Sequence, residues 1–246
     1  VNCTILCFDG AAFFCYNPPM NTQIGTLGES SLHAALCDFF SQPGDVVEAK
    51  VGRYVVDIQR GDRIIEIQTG NFASLRRKLP ALLEKHDVCL VYPISCERYI
   101  LRIAKDGVTQ TSHRKSPKRG RVEDVFSELL YIPVIATHER FRLDVVMVKD
   151  EVVWVDDGLG SWTRKKWSIA DRKLLAVLEC HPFRQASDYL RLLPADLPQS
   201  FTVTKVAQAG NLPGRVAQKM VYCLCKMGIL RQVGMQQRSK LYSVNL

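Results

Sequence analysis

Three things are missing from this 246-residue chain: acidic side chains in its last 48 residues, long apolar runs, and cysteines at CxxC spacing. Residues 199–246 carry 7 Lys+Arg against no acid, whereas residues 1–110 (11 against 12) and 111–198 (15 against 13) are nearly balanced. A segment that cannot neutralise its own positive field takes a polyanion as partner, with DNA the first expectation and a merely solvated basic face the alternative. No run nears the roughly 18 apolar residues of a membrane-spanning helix, which excludes an integral helical membrane protein. The nine cysteines are odd in number and form no CxxC pair. They make neither a disulfide framework nor a zinc site, and read as small buried hydrophobes in a reducing cytoplasm. Residues 1–19 hold no Lys or Arg and so lack the positive start of a secretory signal. They read as poorly structured, or as leader sequence with Met20 as the start.

What is present suits a folded chain, with 47% hydrophobic and 24% charged residues and enough length for one large domain or two modest ones. Leu32, Ala35, Leu36, Phe39 and Phe40 share a helix face before the Pro43-Gly44 stop. β-Branched stretches at 46–51, 53–59 and 63–68 read as an antiparallel meander, and 71–85 as a second helix burying Phe72, Leu75, Leu79, Leu82 and Leu83. With strands at 88–93 and 99–103 this order predicts an α/β (α+β) fold, a mixed sheet flanked by helices. The basic run Arg114 to Arg121, interrupted by Pro117 and Gly120, reads as an exposed linker. Beyond it lie a helix at 122–131, a hairpin of 141–148 with 151–155, and Trp162 and Trp167. The two tryptophans are placed either to stack bases or to pack in a core or between domains.

The candidate chemistry lies where two acids interrupt apolar strands. Gly61-Asp62 is a two-residue hairpin signal, and the register it sets pairs Arg60 with Arg63, Gln59 with Ile64, Ile58 with Ile65 and Asp57 with Glu66. Like charges directly opposite are destabilising unless something positive intervenes. A divalent cation would serve, Mg²⁺ being held by one or two carboxylates with water and a substrate phosphate. The competing reading is a solvent-facing pair balanced by Arg60, Arg63 or the nearby basic helix. Gln68 shares the strand face of Glu66. Glu29 closes a capping box with Thr26, yet also lies on the helix face that carries Leu32 and Leu36, so capping and chemistry are both open to it.

Glu29, Asp57, Glu66 and Gln68 together resemble the PD-(D/E)xK nuclease superfamily, whose core is a helix with a Glu, a strand with the metal-binding Asp and a strand with (D/E)xK. The resemblance covers about residues 22–105 and departs at the last position, where Glu66-Ile67-Gln68 replaces Lys with Gln. An ExQ variant occurs in the superfamily, including in competence-associated nuclease-like proteins. The resemblance implies a restriction-endonuclease-like core in which Asp57, Glu66 and the Ile67 carbonyl bind Mg²⁺ or Mn²⁺ and Glu29 helps hold metal or water. A neutral amide at Gln68 brings no positive charge to the transition state and leaves more of the work to the metal. Arg76, Arg77 and Lys78 would line the approach to the phosphates, or form a solvated helix face.

Residues 201–210, a turn at 211–214 and a longer helix at 215–227 read as helix, turn, helix, followed by strands at 229–233 and 240–244 around a basic loop. This resembles a winged-helix domain. It implies DNA contacts from Arg215, Gln218, Lys219, Arg238 and Lys240, with Lys115, Lys118, Arg119 and Arg121 adding a basic strip. The segments read as a leader or disordered 1–21, a nuclease-like domain 22–110, a basic linker and small α/β middle region 111–198, and the winged helix 199–246. From Met20 onward the chain also resembles a prokaryotic family of unknown function, with Lys115 to Arg121 and Val216 to Cys223 as landmarks. The expected function is a Mg²⁺-dependent DNA endonuclease in repair, recombination or defence; the alternative is an inactive nuclease fold acting as a DNA-bound regulator or adaptor. Many nucleases with this core are homodimers, though no apolar stripe marks an interface here, and basic charge alone does not separate DNA from RNA.

Overall fold

The computed structural model describes residues 4–6, 12–14, 31–164 and 167–245. Strands β1 (Thr4–Leu6) and β2 (Ala12–Phe14) pair antiparallel. Helix α1 (Ser31–Phe40) is followed by β3 (Val46–Val51), β4 (Tyr54–Arg60) and β5 (Arg63–Ile67), close to the bounds the periodicity predicts. Then come a 3₁₀ turn (Phe72–Arg76), α2 (Lys78–Leu83), β6 (Asp87–Ile103) and β7 (Gln110–Lys115). Another 3₁₀ turn (Val122–Val125) leads into α3 (Phe126–Leu129), and β8 (Phe141–Val155) and β9 (Ser168–Phe183) complete the sheet. Last are α4 (Val203–Ala209), α5 (Gly214–Lys226), β10 (Leu230–Gln236) and β11 (Ser239–Val244).

The main sheet is mixed, in the order β3-β4-β5-β6-β8-β9 with β7 also on β6, and helices flank it. Gly61 takes φ +56°, a conformation that glycine adopts without the Cβ penalty, and the turn closes with Arg60 opposite Arg63, Gln59 opposite Ile64 and Ile58 opposite Ile65. These are three of the four expected pairs; the fourth, Asp57 opposite Glu66, is absent from the ladder, the Asp57 side chain taking the Ile67 N–H instead. β5 then pairs in parallel with β6, which a short turn cannot achieve, so the chain crosses over through 68–86 and its helix α2. The expected single helix 71–85 is broken before Lys78. Pro80 explains the break, because in the interior of a longer helix it would remove a hydrogen bond and clash, whereas near the start of α2 its missing N–H matters little.

Two expectations about strands need correction. Residues 88–93 and 99–103 belong to one strand, β6, in which Pro93 falls between the stretch paired with β5 and the stretch paired with β7. Its missing N–H is therefore harmless there. The expected hairpin at 141–155 is also a single strand, β8. Lys149-Asp150 is no turn: Asp150 is fully buried, accepting from Ser95 (2.6 Å) and from Arg98 Nε (2.9 Å) and pairing with Arg172. Burial works against its charge, but the Arg98 hydrogen bond and the Arg172 guanidinium outweigh that and hold its carboxyl below the usual range.

By contacts the chain forms two compact units, one of residues 1–47, 93–121 and 146–181, the other of 48–92, 122–145 and 182–246. In the first, the Asp171 carboxylate accepts the N–H (3.1 Å) and hydroxyl (2.6 Å) of Ser31 at the start of α1. In the second, Val88, Leu90, Leu143 and Val145 are buried along the strands, and Met220 and Leu224 of α5 are fully buried. Of the free thiols, Cys89 and Cys223 are buried as the reading of small buried hydrophobes expects, Cys37, Cys96 and Cys225 are only half-buried, and Cys180 is disulfide-bonded, which the cysteine spacing did not suggest. Among the described residues no helix is long and apolar enough to cross a membrane.

Candidate functional site

The second unit brings two of the sequence-predicted acids together at the end of the β4–β5 hairpin. The N–H of Gln68 donates to the Val91 carbonyl of β6 (2.9 Å), so strand alternation turns the N–H and carbonyl of Ile67 toward β4. There the Ile67 N–H meets the Asp57 carboxylate, at 2.6 Å from Oδ2. The Asp57 side chain thus takes a donor that a strand carbonyl would otherwise accept, and the β4–β5 ladder ends at the Ile58–Ile65 pair. Asp57 is half-buried, whereas Glu66 is only 3% exposed.

A buried carboxylate needs compensation, and α2 supplies it. Lys78 Nζ donates to Glu66 Oε2 (2.7 Å) and to the Val55 carbonyl (2.7 Å), and lies 2.6 Å from Glu66 Oε1. The last contact is an ion pair and not a hydrogen bond. Burial first, and then the charge of Asp57, push the Glu66 carboxyl up to about 7, against the pull of Lys78. The segment carrying Lys78 is pinned in place. The Glu128 carboxylate accepts the Phe72 N–H (2.9 Å), Tyr54 donates its hydroxyl to the Arg77 carbonyl (3.1 Å), and Arg76 Nε donates to the Tyr131 carbonyl (2.8 Å).

Other predicted residues lie elsewhere. The Gln68 amide donates to the Gly70 carbonyl within its own loop. Arg76 and Arg77 are exposed, and of the expected basic trio only Lys78 meets the acids. Glu29 lies outside the described residues. Asp57, Glu66 and the Ile67 carbonyl are oxygen donors of the type a hard divalent cation takes, with the Lys78 ammonium already 2.6 Å from Glu66 Oε1. The alternative of acids balanced by the nearby basic helix comes down to Lys78 alone of its basic trio, although Glu66 is buried and does not face solvent. The eleven residues between Glu66 and Lys78 carry no local signal that picks this Lys from the three.

In the C-terminal segment Thr202 Oγ1 caps α4 by accepting from the Lys205 N–H (3.3 Å), as the hydroxyl signal predicts. α5 buries Val216, Ala217, Met220, Val221, Cys223 and Leu224 and exposes Arg215, Gln218, Tyr222 and Lys226, with Lys219 half-buried beside them. Tyr222, 48% exposed and 5.9 Å from Lys226 Nζ, was missed by sequence reasoning although it lies seven residues after Arg215 on the same stripe. β10 and β11 form a hairpin whose turn is Gln237-Arg238, with Arg238 and Lys240 exposed, and Phe201 bridges to Tyr242.

In the first unit the run 114–121 is no free linker. Lys115 ends β7 and pairs with Glu97 (2.8 Å), the Gly120 N–H donates to the Ser95 carbonyl (2.8 Å), and a Cβ on Gly120 would meet that oxygen at 2.5 Å. Lys118, Arg119 and Arg121 remain exposed. Trp154 and Trp167 contact the Arg102 guanidinium, and Trp162 is 85% exposed.

Residues 30–184 match the family described as Domain of unknown function (DUF8091). The chain belongs to the DUF8091 family. An uncharacterized protein of Treponema pallidum (strain Nichols) is 34% identical over 226 residues, 89% of this chain and 86% of that protein. No solved structure matches. The DUF8091 match takes in Asp57, Glu66 and Lys78 and ends before α4.

Proposed function

We propose that this DUF8091 chain is a Mg²⁺- or Mn²⁺-dependent DNA endonuclease with a restriction-endonuclease-like core and a winged-helix recruitment module. The observation that carries the reading is the acid pair: Glu66 is buried on β5, its carboxyl raised to about 7 partly by the half-buried Asp57, whose Oδ2 accepts the Ile67 N–H at 2.6 Å. Burying such a pair is costly for a fold with no use for it. Asp57, Glu66 and the Ile67 carbonyl would hold the ion. When bound, it would supply a water of lowered pKa and offset charge on the leaving oxygen of a phosphodiester.

The remaining work falls to the chain. The exposed Arg215 and Gln218 with the half-buried Lys219 on α5 suit a major groove, and Arg238 and Lys240 on the hairpin suit adjacent phosphates. In the other unit, the exposed Lys118, Arg119 and Arg121 are further cations available to DNA, bound by this chain or by a second copy in a homodimer. One observation favours the regulator reading instead: Lys78 already balances Glu66 without any ion. Purified protein incubated with supercoiled, linear and single-stranded DNA in Mg²⁺, Mn²⁺ or EDTA separates the two. The enzyme cleaves only with metal and loses cleavage with Asp57→Ala; the regulator binds in EDTA and never cuts.

A further inference from the structure

The strand that should bring a cation to this site brings an amide, and that amide is engaged elsewhere, on the Gly70 carbonyl. Phosphodiester hydrolysis builds negative charge on the phosphoryl and leaving oxygens, and a fixed cation in a water-poor site stabilises it far more than one in solvent. α2 offers such a cation. Lys78 Nζ stands 2.6 Å and 2.7 Å from the two Glu66 oxygens and 2.7 Å from the Val55 carbonyl. Of its three N–H donors two are hydrogen-bonded, to Glu66 Oε2 and the Val55 carbonyl, and its contact with Glu66 Oε1 is ionic. The side chain is 18% exposed, so a phosphate can reach it from solvent. Its backbone is fixed through the Tyr54 hydroxyl on the Arg77 carbonyl and the Glu128 carboxylate on the Phe72 N–H, which limits reorganisation when substrate arrives.

We propose that Lys78 is the catalytic cation of this site, delivered by the crossover helix in place of the strand position that Gln68 occupies, and that it contacts a non-bridging oxygen of the scissile phosphate. The assignment rests on the nuclease reading above. In the step, water oxygen forms the new bond to phosphorus and the bond to the leaving oxygen breaks. The attacking water releases its proton to bulk solvent, and the leaving alkoxide takes one up there. Lys78 keeps its protons throughout and acts by charge.

The test compares wild type, Lys78→Gln and the double variant Lys78→Gln with Gln68→Lys, each checked for fold by circular dichroism. Three quantities are read: DNA affinity in EDTA, Mn²⁺ affinity by calorimetry, and cleavage rate with Mn²⁺. For Lys78→Gln the expected result is unchanged DNA affinity, Mn²⁺ binding at least as tight as wild type because a like charge is gone, and cleavage slower by about 100-fold or more. The double variant should recover at least about tenfold of that loss. Wild-type cleavage by Lys78→Gln overturns the assignment while leaving the nuclease reading intact. Loss of Mn²⁺ binding in that variant also overturns it, by making Lys78 a strut for Glu66. Absence of cleavage by wild type with Mn²⁺ bound overturns the nuclease reading and the assignment together.

Discussion

Replacing Glu66 with Gln keeps the shape of the side chain and removes its charge, so the pH dependence of stability should change in a calculable way. In the fold burial and Asp57 raise this carboxyl from 4.5 to about 7, whereas in the unfolded chain it returns to 4.5. Between those values the folded protein holds a proton that the unfolded chain releases, so stability falls as pH rises. The contribution is fully present below about 4.5 and is lost as the pH passes about 7, a total of about 3 kcal/mol at roughly 1.4 kcal/mol per unit. Urea titrations in EDTA from pH 5 to 8 measure it. The stability of wild type minus that of Glu66→Gln should decline by about 3 kcal/mol across the range, and Mn²⁺ at the upper end should restore it in wild type only. A difference that stays flat with pH would refute the argument, since it would mean that Glu66 is as well solvated folded as unfolded.

Asp150→Ala leaves Arg98 and Arg172 without the carboxylate between them, and should destabilise the fold by about 3 to 5 kcal/mol in urea denaturation. Thr202→Ala removes the cap on α4 and should lower stability by about 1 kcal/mol, read as a small fall in melting temperature. Arg215→Ala and Lys240→Ala should each weaken DNA binding in EDTA and reduce the slope of log affinity against log salt by about 1; an unchanged slope would remove that residue from the phosphate contacts.

Local features were legible in the sequence. The Gly61-Asp62 turn set the register down to Ile58–Ile65, the Leu32/Leu36/Phe40 spacing marked α1, and Thr202 marked the start of α4. Each depends on neighbours a few residues away. What failed depended on partners far along the chain. Lys149-Asp150 looks like a turn until Arg98 and Arg172 are brought to it, and Pro93 looks like a break until the pairing of β6 on either side of it is known. The site follows the same division: Asp57 and Glu66 came from hairpin register, while Lys78 depends on how the crossover helix docks, which periodicity does not encode.

A calorimetric titration of Mn²⁺ into wild type and Asp57→Ala at pH 7.5 tests the acid pair as a cation site most directly. The account predicts one ion per wild-type chain at the site and its loss in the variant, with both proteins equally folded. Equal binding by the two, or none by either, would contradict it.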